Sequence, residues 1–333
     1  MTRALNSALN QFRPPIGLRG PHVQSVLGAL PLRSRLIRYA AGRFVKASAA
    51  QVLECQEARL LCLVSRPKDA VRGMVIILHG WEGCAESGYM LSAGRRLMHS
   101  GYVVVRLNFR DHGDTHTLNE GLFHSCRIDE VVEAVALLHK MEPSLPLHLL
   151  GFSLGGNFAL RVAVRSPGAG IPLRRVVAVC PVLSPVSTMR ALEEGSWVYR
   201  DYFLRRWRRS LQAKARAFPH LYSFGDLRRF RTLTETTDFF VREYTSFGTL
   251  ARYLNGYAIT EDALADLSVP SLLVATRDDP VIPVDDLQRL ASSPALRIAV
   301  LPHGGHCGLL QDYGLRSWLV SRLDTLLLEA APG

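Results

Sequence analysis

The 333-residue chain carries 40 Lys and Arg against 29 Asp and Glu, a formal charge of +11, and 48% of its residues are hydrophobic. Its length suffices for one large two-sided core with an inserted subdomain. It holds no run of roughly 18 uncharged apolar residues and no secretory leader, so a membrane-spanning helix is not expected and a cytoplasmic location is.

The charge is uneven. Met1 to Gln51 contains eight Arg or Lys and no acid, and Arg205-Arg206-Trp207-Arg208-Arg209 with Lys214 and Arg216 forms a second cluster. A solvated basic face is the plain reading; the functional one is a weak peripheral contact with an anionic membrane. No nucleic-acid-binding motif accompanies the charge, so nucleic acid is not an expected partner. Six cysteines lack C-x-x-C or zinc-type spacing. Reduced thiols and no metal are expected from them.

In chain order, residues 1–50 form a basic arm expected to pack on the core, and Gln51 to Val64 reads as one or two strands. Gly73 to Leu78 is a short apolar strand ending in His79-Gly80. Ser87 to Ser100 predicts a helix, Tyr102 to Phe109 a strand, Ile128 to Met141 a helix, and Leu147 to Phe152 a buried strand. Arg174 to Cys180, Pro270 to Thr276 and Leu296 to Leu301 complete the strands, and Tyr313 to Ala330 predicts a closing helix. Short apolar runs separated by amphipathic helices predict an α/β architecture with a mainly parallel sheet covered on both faces. Residues 51–184 and 268–333 form this core in that reading. Residues 185–267 lack a buried strand, which predicts a helical cap over the strand C-terminal edge. Its aromatics Trp197, Tyr199, Tyr202, Phe203 and Trp207 are expected mostly as the cap's own core, with a substrate lining as the alternative.

Leu147 to Phe152 runs into Ser153-Leu154-Gly155-Gly156-Asn157, a strand turning sharply into a helix with serine at the apex. Glycines two residues either side permit the close approach that such a nucleophile elbow needs. A serine hydroxyl needs a base and a group to orient that base. Thr276-Arg277-Asp278-Asp279-Pro280 follows a buried strand and offers the acid, with Asp279 favoured and Asp278 the alternative. Gly304-Gly305-His306-Cys307-Gly308 offers the base, His306, with His303 nearer the strand end and read as structural. Two backbone N–H groups are needed for the oxyanion. Leu154 should supply one and Trp81 the other, with Glu82 as the neighbouring alternative.

These motifs together resemble an α/β-hydrolase, and more narrowly the YheT-like branch, AB hydrolase family 4. The resemblance rests on Gly20-Pro21-His22-Val23-Gln24-Ser25, His79-Gly80-Trp81-Glu82-Gly83, Asn108-Phe109-Arg110, Phe123-His124-Ser125, the elbow, the Asp279 loop and Gly305-His306-Cys307-Gly308. It implies the α/β-hydrolase fold with a helical cap, a Ser153-Asp279-His306 relay, no cofactor, and hydrolysis of carboxylic esters with short- to medium-chain acyl groups. An acyltransferase using an alcohol acceptor and a non-catalytic, membrane-associated binding protein of this fold are the alternatives.

Two further patterns receive structural readings. Asp111-His112-Gly113-Asp114-Thr115-His116 has metal-ligand residue types but not the order of a dinuclear site, so a solvated loop is expected. His124 and Asp129 fit a His-x4-Asp spacing, and Asp129 is expected as a helix N-cap.

Overall fold

The computed structural model describes residues 12–328; residues 1–11 of the arm and 329–330 of the expected closing helix lie outside the described residues. Strands β1 (Ser48–Glu54), β2 (Arg59–Ser65), β3 (Gly73–Leu78), β4 (Tyr102–Leu107), β5 (Leu147–Phe152), β6 (Leu173–Val179), β7 (Ser271–Thr276) and β8 (Leu296–Leu301) form one sheet. Their order is β1-β2-β4-β3-β5-β6-β7-β8. β1 and β2 are antiparallel, β2 is antiparallel to β4, and the remaining neighbours are parallel.

The central strands are apolar throughout because both faces are covered. Ile76, Leu78, Val103, Val105 and Leu149 enter one cluster. Their neighbours Val75, Ile77, Val104 and Leu150 enter the other. This alternation is the two-residue period of a pleated strand. Helices α1 (Pro21–Ala29), α2 (Pro31–Ala40) and α3 (Gly42–Lys46) build the arm, followed in the core by α4 (Gly88–His99), α5 (Ile128–Met141) and α6 (Leu154–Arg165).

Between β6 and β7 the chain forms α7 (Pro185–Glu194), α8 (Trp197–Ala217), α9 (Leu233–Tyr244) and α10 (Leu250–Asn255). These helices bury their own cluster, including Trp207, Leu211, Phe240, Val241 and Tyr253. Of the aromatics expected in it, Trp207 is buried and Tyr199 and Phe203 are half-buried, whereas Trp197 and Tyr202 are exposed. α9 opens with a capping box, Thr232 bonding the Glu235 N–H and Glu235 reaching back, which satisfies two otherwise unpaired donors.

Two local expectations are corrected. The closing helix α11 spans Trp318–Leu328 and does not begin at Tyr313. Leu310 and Ser317 pair as an isolated bridge, and Asp312 accepts from Arg316, so the residues before Trp318 are held in a turn. Asp129 does not cap α5; Arg127 occupies that position, and the Asp129 side chain is 95% exposed in the first turn. There its charge opposes the helix dipole without a capping bond.

Lys214 of α8 is 1% exposed and ties these helices to the loop after β4. Its Nζ donates to Asp111 Oδ1 at 2.8 Å and to the carbonyls of Asn119 and Gly121. Removing one partner of a buried ion pair strands the other. Lys214→Ala is expected to lower unfolding free energy by about 3–5 kcal/mol, and Lys214→Met with Asp111→Asn by clearly less. Urea titrations of both variants check the order; equal losses would contradict it.

Candidate active site

Ser153 sits at the strand-to-helix apex with φ 53° and ψ −119°, a left-handed backbone that a serine rarely adopts. Its N–H donates to Val179 O at 2.8 Å, while its carbonyl accepts from Gly156 and Asn157 at the start of α6. A Cβ on Gly151 would overlap the Gly155 carbonyl, and one on Gly155 would overlap the carbonyls of Leu78 and His79. Glycine at both positions is therefore what lets β3, β5 and α6 close together. The strain at Ser153, of order 1–3 kcal/mol, is held by the packing around it.

β7 and β8 deliver the other two groups to the same sheet edge. Asp279 Oδ1 accepts from the N–H groups of Val281 and Ile282 at 2.8 and 3.0 Å, which orients Oδ2 onto His306 Nδ1 at 2.9 Å. His306 Nε2 lies 2.9 Å from Ser153 Oγ. Asp278, the alternative acid, instead accepts from the Gly305 N–H at 3.0 Å and so shapes the histidine loop. His303 is 40% exposed and faces Asp278, away from the serine.

The arm holds the histidine loop from outside. Ser25 Oγ accepts from the His306 N–H at 2.8 Å and itself donates to Pro21 O. Gln24, fully buried, accepts from the Leu310 N–H at 2.7 Å and donates to Leu18 and Leu310 carbonyls. In the sequence, Gln24 and Ser25 stand out only as part of the family resemblance. A buried amide beside a buried hydroxyl on one helix turn is the signal that could have identified them, since such groups are buried only with partners.

The turn after β3 faces the serine. Among the described residues, no acceptor takes the N–H of Trp81 or of Leu154, so both donors are open. Glu82, the alternative to Trp81, donates its N–H to His112 Nε2 at 3.3 Å. His112 Nδ1 in turn donates to Arg110 O at 2.7 Å. Below it, His79 Nε2 accepts from the Phe109 N–H and Nδ1 donates to Gly80 O. Burial pushes His79 down to about 4 and His112 well below its usual range, so both rings are neutral supports of this turn. The loop expected to be solvated is instead largely buried, Asp111 being taken by Lys214 and the Phe123 N–H and His116 by Ser210, because the loop packs under α8. His124 is packed against Phe247 and Tyr253, away from Asp129.

Two cavities meet at Ser153. One, of about 90 Å³, is roofed by α7 to α10 and lined by residues such as Trp81, Phe123, Met189, Leu192, Trp207 and Phe240, with no acidic or basic side chain in its wall. The other, of about 170 Å³, lies between the arm, α8 and the histidine loop.

A mainly parallel sheet that presents a strained serine after β5, an aspartate after β7 and a histidine after β8 at one edge defines a hydrolase scaffold. Residues 75–315 match the alpha/beta hydrolase family, and the chain belongs to that family. Human Phospholipase ABHD3 is 20% identical over 249 residues, covering 73% of this chain and 60% of that protein, so the match leaves a large part of the relative unaccounted for. An esterase of Pyrococcus furiosus, Pf2001, superposes with TM-score 0.56 at 15% identity over 86% of this chain and 91% of its own. Carboxylesterase CesB of Bacillus subtilis superposes with TM-score 0.53 at 15% identity over 91% and 99%.

Burial pulls the His306 imidazole down, but the Asp279 carboxylate, with a smaller push from Cys307, outweighs it and raises the group from 6.5 to about 9. A histidine raised on folding adds stability that is fully present below its unfolded value of 6.5 and is lost as pH climbs through about 9. Histidine NMR should place the His306 midpoint on the alkaline side, and Asp279→Asn should move it down and shrink the stability lost on raising the pH. A wild-type midpoint below neutrality would contradict this electrostatic account.

Proposed function

We propose that the protein hydrolyses carboxylic esters through Ser153, His306 and Asp279. The observation that carries this reading is the unbroken series Asp279 Oδ2, His306 Nδ1, His306 Nε2, Ser153 Oγ at 2.9 Å per contact, opening on an apolar cavity. His306 in its neutral form, which gains population as pH climbs toward about 9, accepts the Ser153 proton at Nε2 as Oγ bonds to the ester carbonyl carbon, and Asp279 stabilises the imidazolium that forms. The open N–H groups of Leu154 and Trp81 receive the developing oxyanion. Collapse breaks the acyl–alkoxy bond, and His306 returns its proton to the departing alcohol. Water then repeats the sequence on the acyl-enzyme.

The small, uncharged cavity under α7 to α10 favours short- to medium-chain acyl groups. The N-terminal Gly-Pro-His-Val-Gln-Ser segment, which clasps the histidine loop, supports placement in the YheT-like branch, and residues 185–267 are read as its cap. The esterase neighbours support the hydrolase class through fold alone.

Ser153→Ala should abolish both fluorophosphonate labelling and cleavage of p-nitrophenyl butyrate, and Asp279→Asn should cut kcat by at least about 1,000-fold. Equal labelling of wild type and Ser153→Ala would sink the assignment.

A further reading concerns the arm. Leu32, Leu36 and Tyr39 of α2 are 64%, 62% and 89% exposed and fall on one helix face. Exposed Arg35 lies between them, Arg38 beside them pairs with Glu86, and residues 1–51 contain no acid. Among the described residues, no helix is long and apolar enough to cross a membrane. An anionic lipid surface complements this face, apolar side chains entering the interface and guanidiniums meeting headgroups. Co-sedimentation with phosphatidylserine-containing vesicles is expected, falling with salt and with Leu32→Glu/Leu36→Glu. Absence of binding, or binding indifferent to both, would remove this reading.

A further inference from the structure

The cavity between the arm, α8 and the histidine loop differs in chemistry from the apolar one. Ser153 and His306 stand in its wall, and so do Arg33, Arg206 and Glu82. Elsewhere near the site, buried charges are matched: Arg110 meets Glu130 and Lys214 meets Asp111. Neither Arg33 nor Arg206 has a carboxylate within ion-pair distance among the described residues. Arg33 donates to the carbonyls of Leu315 and Gly28, and Arg206 to the Tyr202 hydroxyl at 3.3 Å. Half-buried Arg33 and exposed Arg206, which lies over the Tyr202 ring, thus both line the cavity beside Ser153 without a carboxylate counter-ion.

Glu82 is the second, independent observation. Its residue is 8% exposed, and among the described residues its carboxyl oxygens have no hydrogen-bond or ion-pair partner. Its backbone is left-handed, φ 56°, an uncommon conformation for a residue other than glycine. The strain is maintained by the His112 bond to its N–H, which pins the residue where the cavity meets the oxyanion turn. Burial, opposed by Arg206 and reinforced by Asp111, lifts its carboxyl to about 7. A buried carboxyl in that range is available as a proton-bearing donor rather than as a fixed negative charge.

The apolar cavity has the uncharged wall suited to an acyl chain, so the remaining half of an ester falls to the second cavity. We propose that this second cavity receives the alcohol half of the substrate and selects an alcohol bearing an anionic group, phosphate or carboxylate, bound by Arg206 and Arg33 with Glu82 donating to it. The inference rests on the ester-hydrolase reading and adds the charge of the leaving group. Guanidinium forks suit the planar oxygens of both anions. An uncharged alcohol leaves two cations unmatched, and a cationic one meets them with repulsion. Arg33, Ser92, Ser317 and Val320 also line a groove of about 1210 Å³ beside α2, which gives an extended anionic substrate a route inward along the arm.

The test holds the acyl group constant. Butyryl esters of glycerol 3-phosphate, glycolate, glycerol and choline are compared by kcat/KM in wild type, Arg206→Gln, Arg206→Lys and Glu82→Gln. The wild type is expected to prefer the two anionic esters over the glycerol ester by about tenfold or more, with choline last and the preference shrinking at high salt. Relative phosphate and carboxylate rates identify which anion the cavity fits. Arg206→Gln should bring the anionic-to-neutral ratio close to one, Arg206→Lys should restore part of it, and Glu82→Gln, which keeps a donor, should retain it. A wild-type ratio at or below one, a preference for choline, or a ratio that Arg206→Gln leaves intact overturns the proposal while hydrolysis itself stands. Failure to cleave any of the four esters overturns the ester reading and the inference together.

Discussion

The contact on which the site depends is the approach of three backbones where β3, β5 and α6 meet. Gly155 lies against the carbonyls of Leu78 and His79, and Gly151 against Gly155, with no room for a Cβ at either. That closeness brings the end of β3 within reach of the start of α6. Trp81 and Leu154 then line one cavity with Ser153, which is held at its left-handed apex. A methyl group at Gly155 would separate these elements and shift Ser153 and the turn after β3 together.

Around that apex, polar groups buried by the fold are used as fasteners. Neutral His79 and His112 pin the turn after β3, Asp278 and Ser25 hold the histidine loop, and Gln24 locks the following residues to the arm. Each group satisfies a backbone donor or acceptor that the irregular loops would otherwise leave unpaired. The Asp279 carboxylate is oriented by two backbone N–H groups before it meets His306. Ser153, His306 and Asp279 are therefore held in register by their loops. Charge is distributed differently on the two sides of Ser153: uncharged toward α7 to α10, and carrying Arg33, Arg206 and Glu82 toward the arm.

Much of this was legible in the chain. The strand from Leu147 to Phe152 and the helix from Ile128 to Met141 coincide with the observed elements, because continuous apolar runs and clean amphipathic periodicity leave no competing solution. The closing helix was read as starting too early because Tyr313 to Ser317 fits a helical pattern locally, while a bridge between Leu310 and Ser317 claims those residues in the fold. The cap aromatics show the same limit. Trp197 and Trp207 sit on one helix with similar composition around them, yet one is 64% exposed and the other 9%. Only the packing partners of α8 separate them.

The sequence by itself determined the architecture and the residue types of the site. Short-range sterics and periodicity specify a strand-turn-helix at Ser153 and acid- and histidine-bearing loops after later strands. It favours Asp279 over Asp278 and Trp81 over Glu82 but leaves the neighbour open in each case, since adjacent residues share the same local signals. Tertiary structure gives the neighbours different partners: Asp279 turns toward His306 while Asp278 binds the Gly305 N–H, and His112, thirty residues away, accepts from the Glu82 N–H. Nor did the sequence disclose that a basic arm and a basic helix would meet across the nucleophile. The convergence of Arg33 and Arg206, far apart in the chain, exists only because the arm folds back along the histidine loop and α8 descends toward it, a long-range closure that no local pattern encodes.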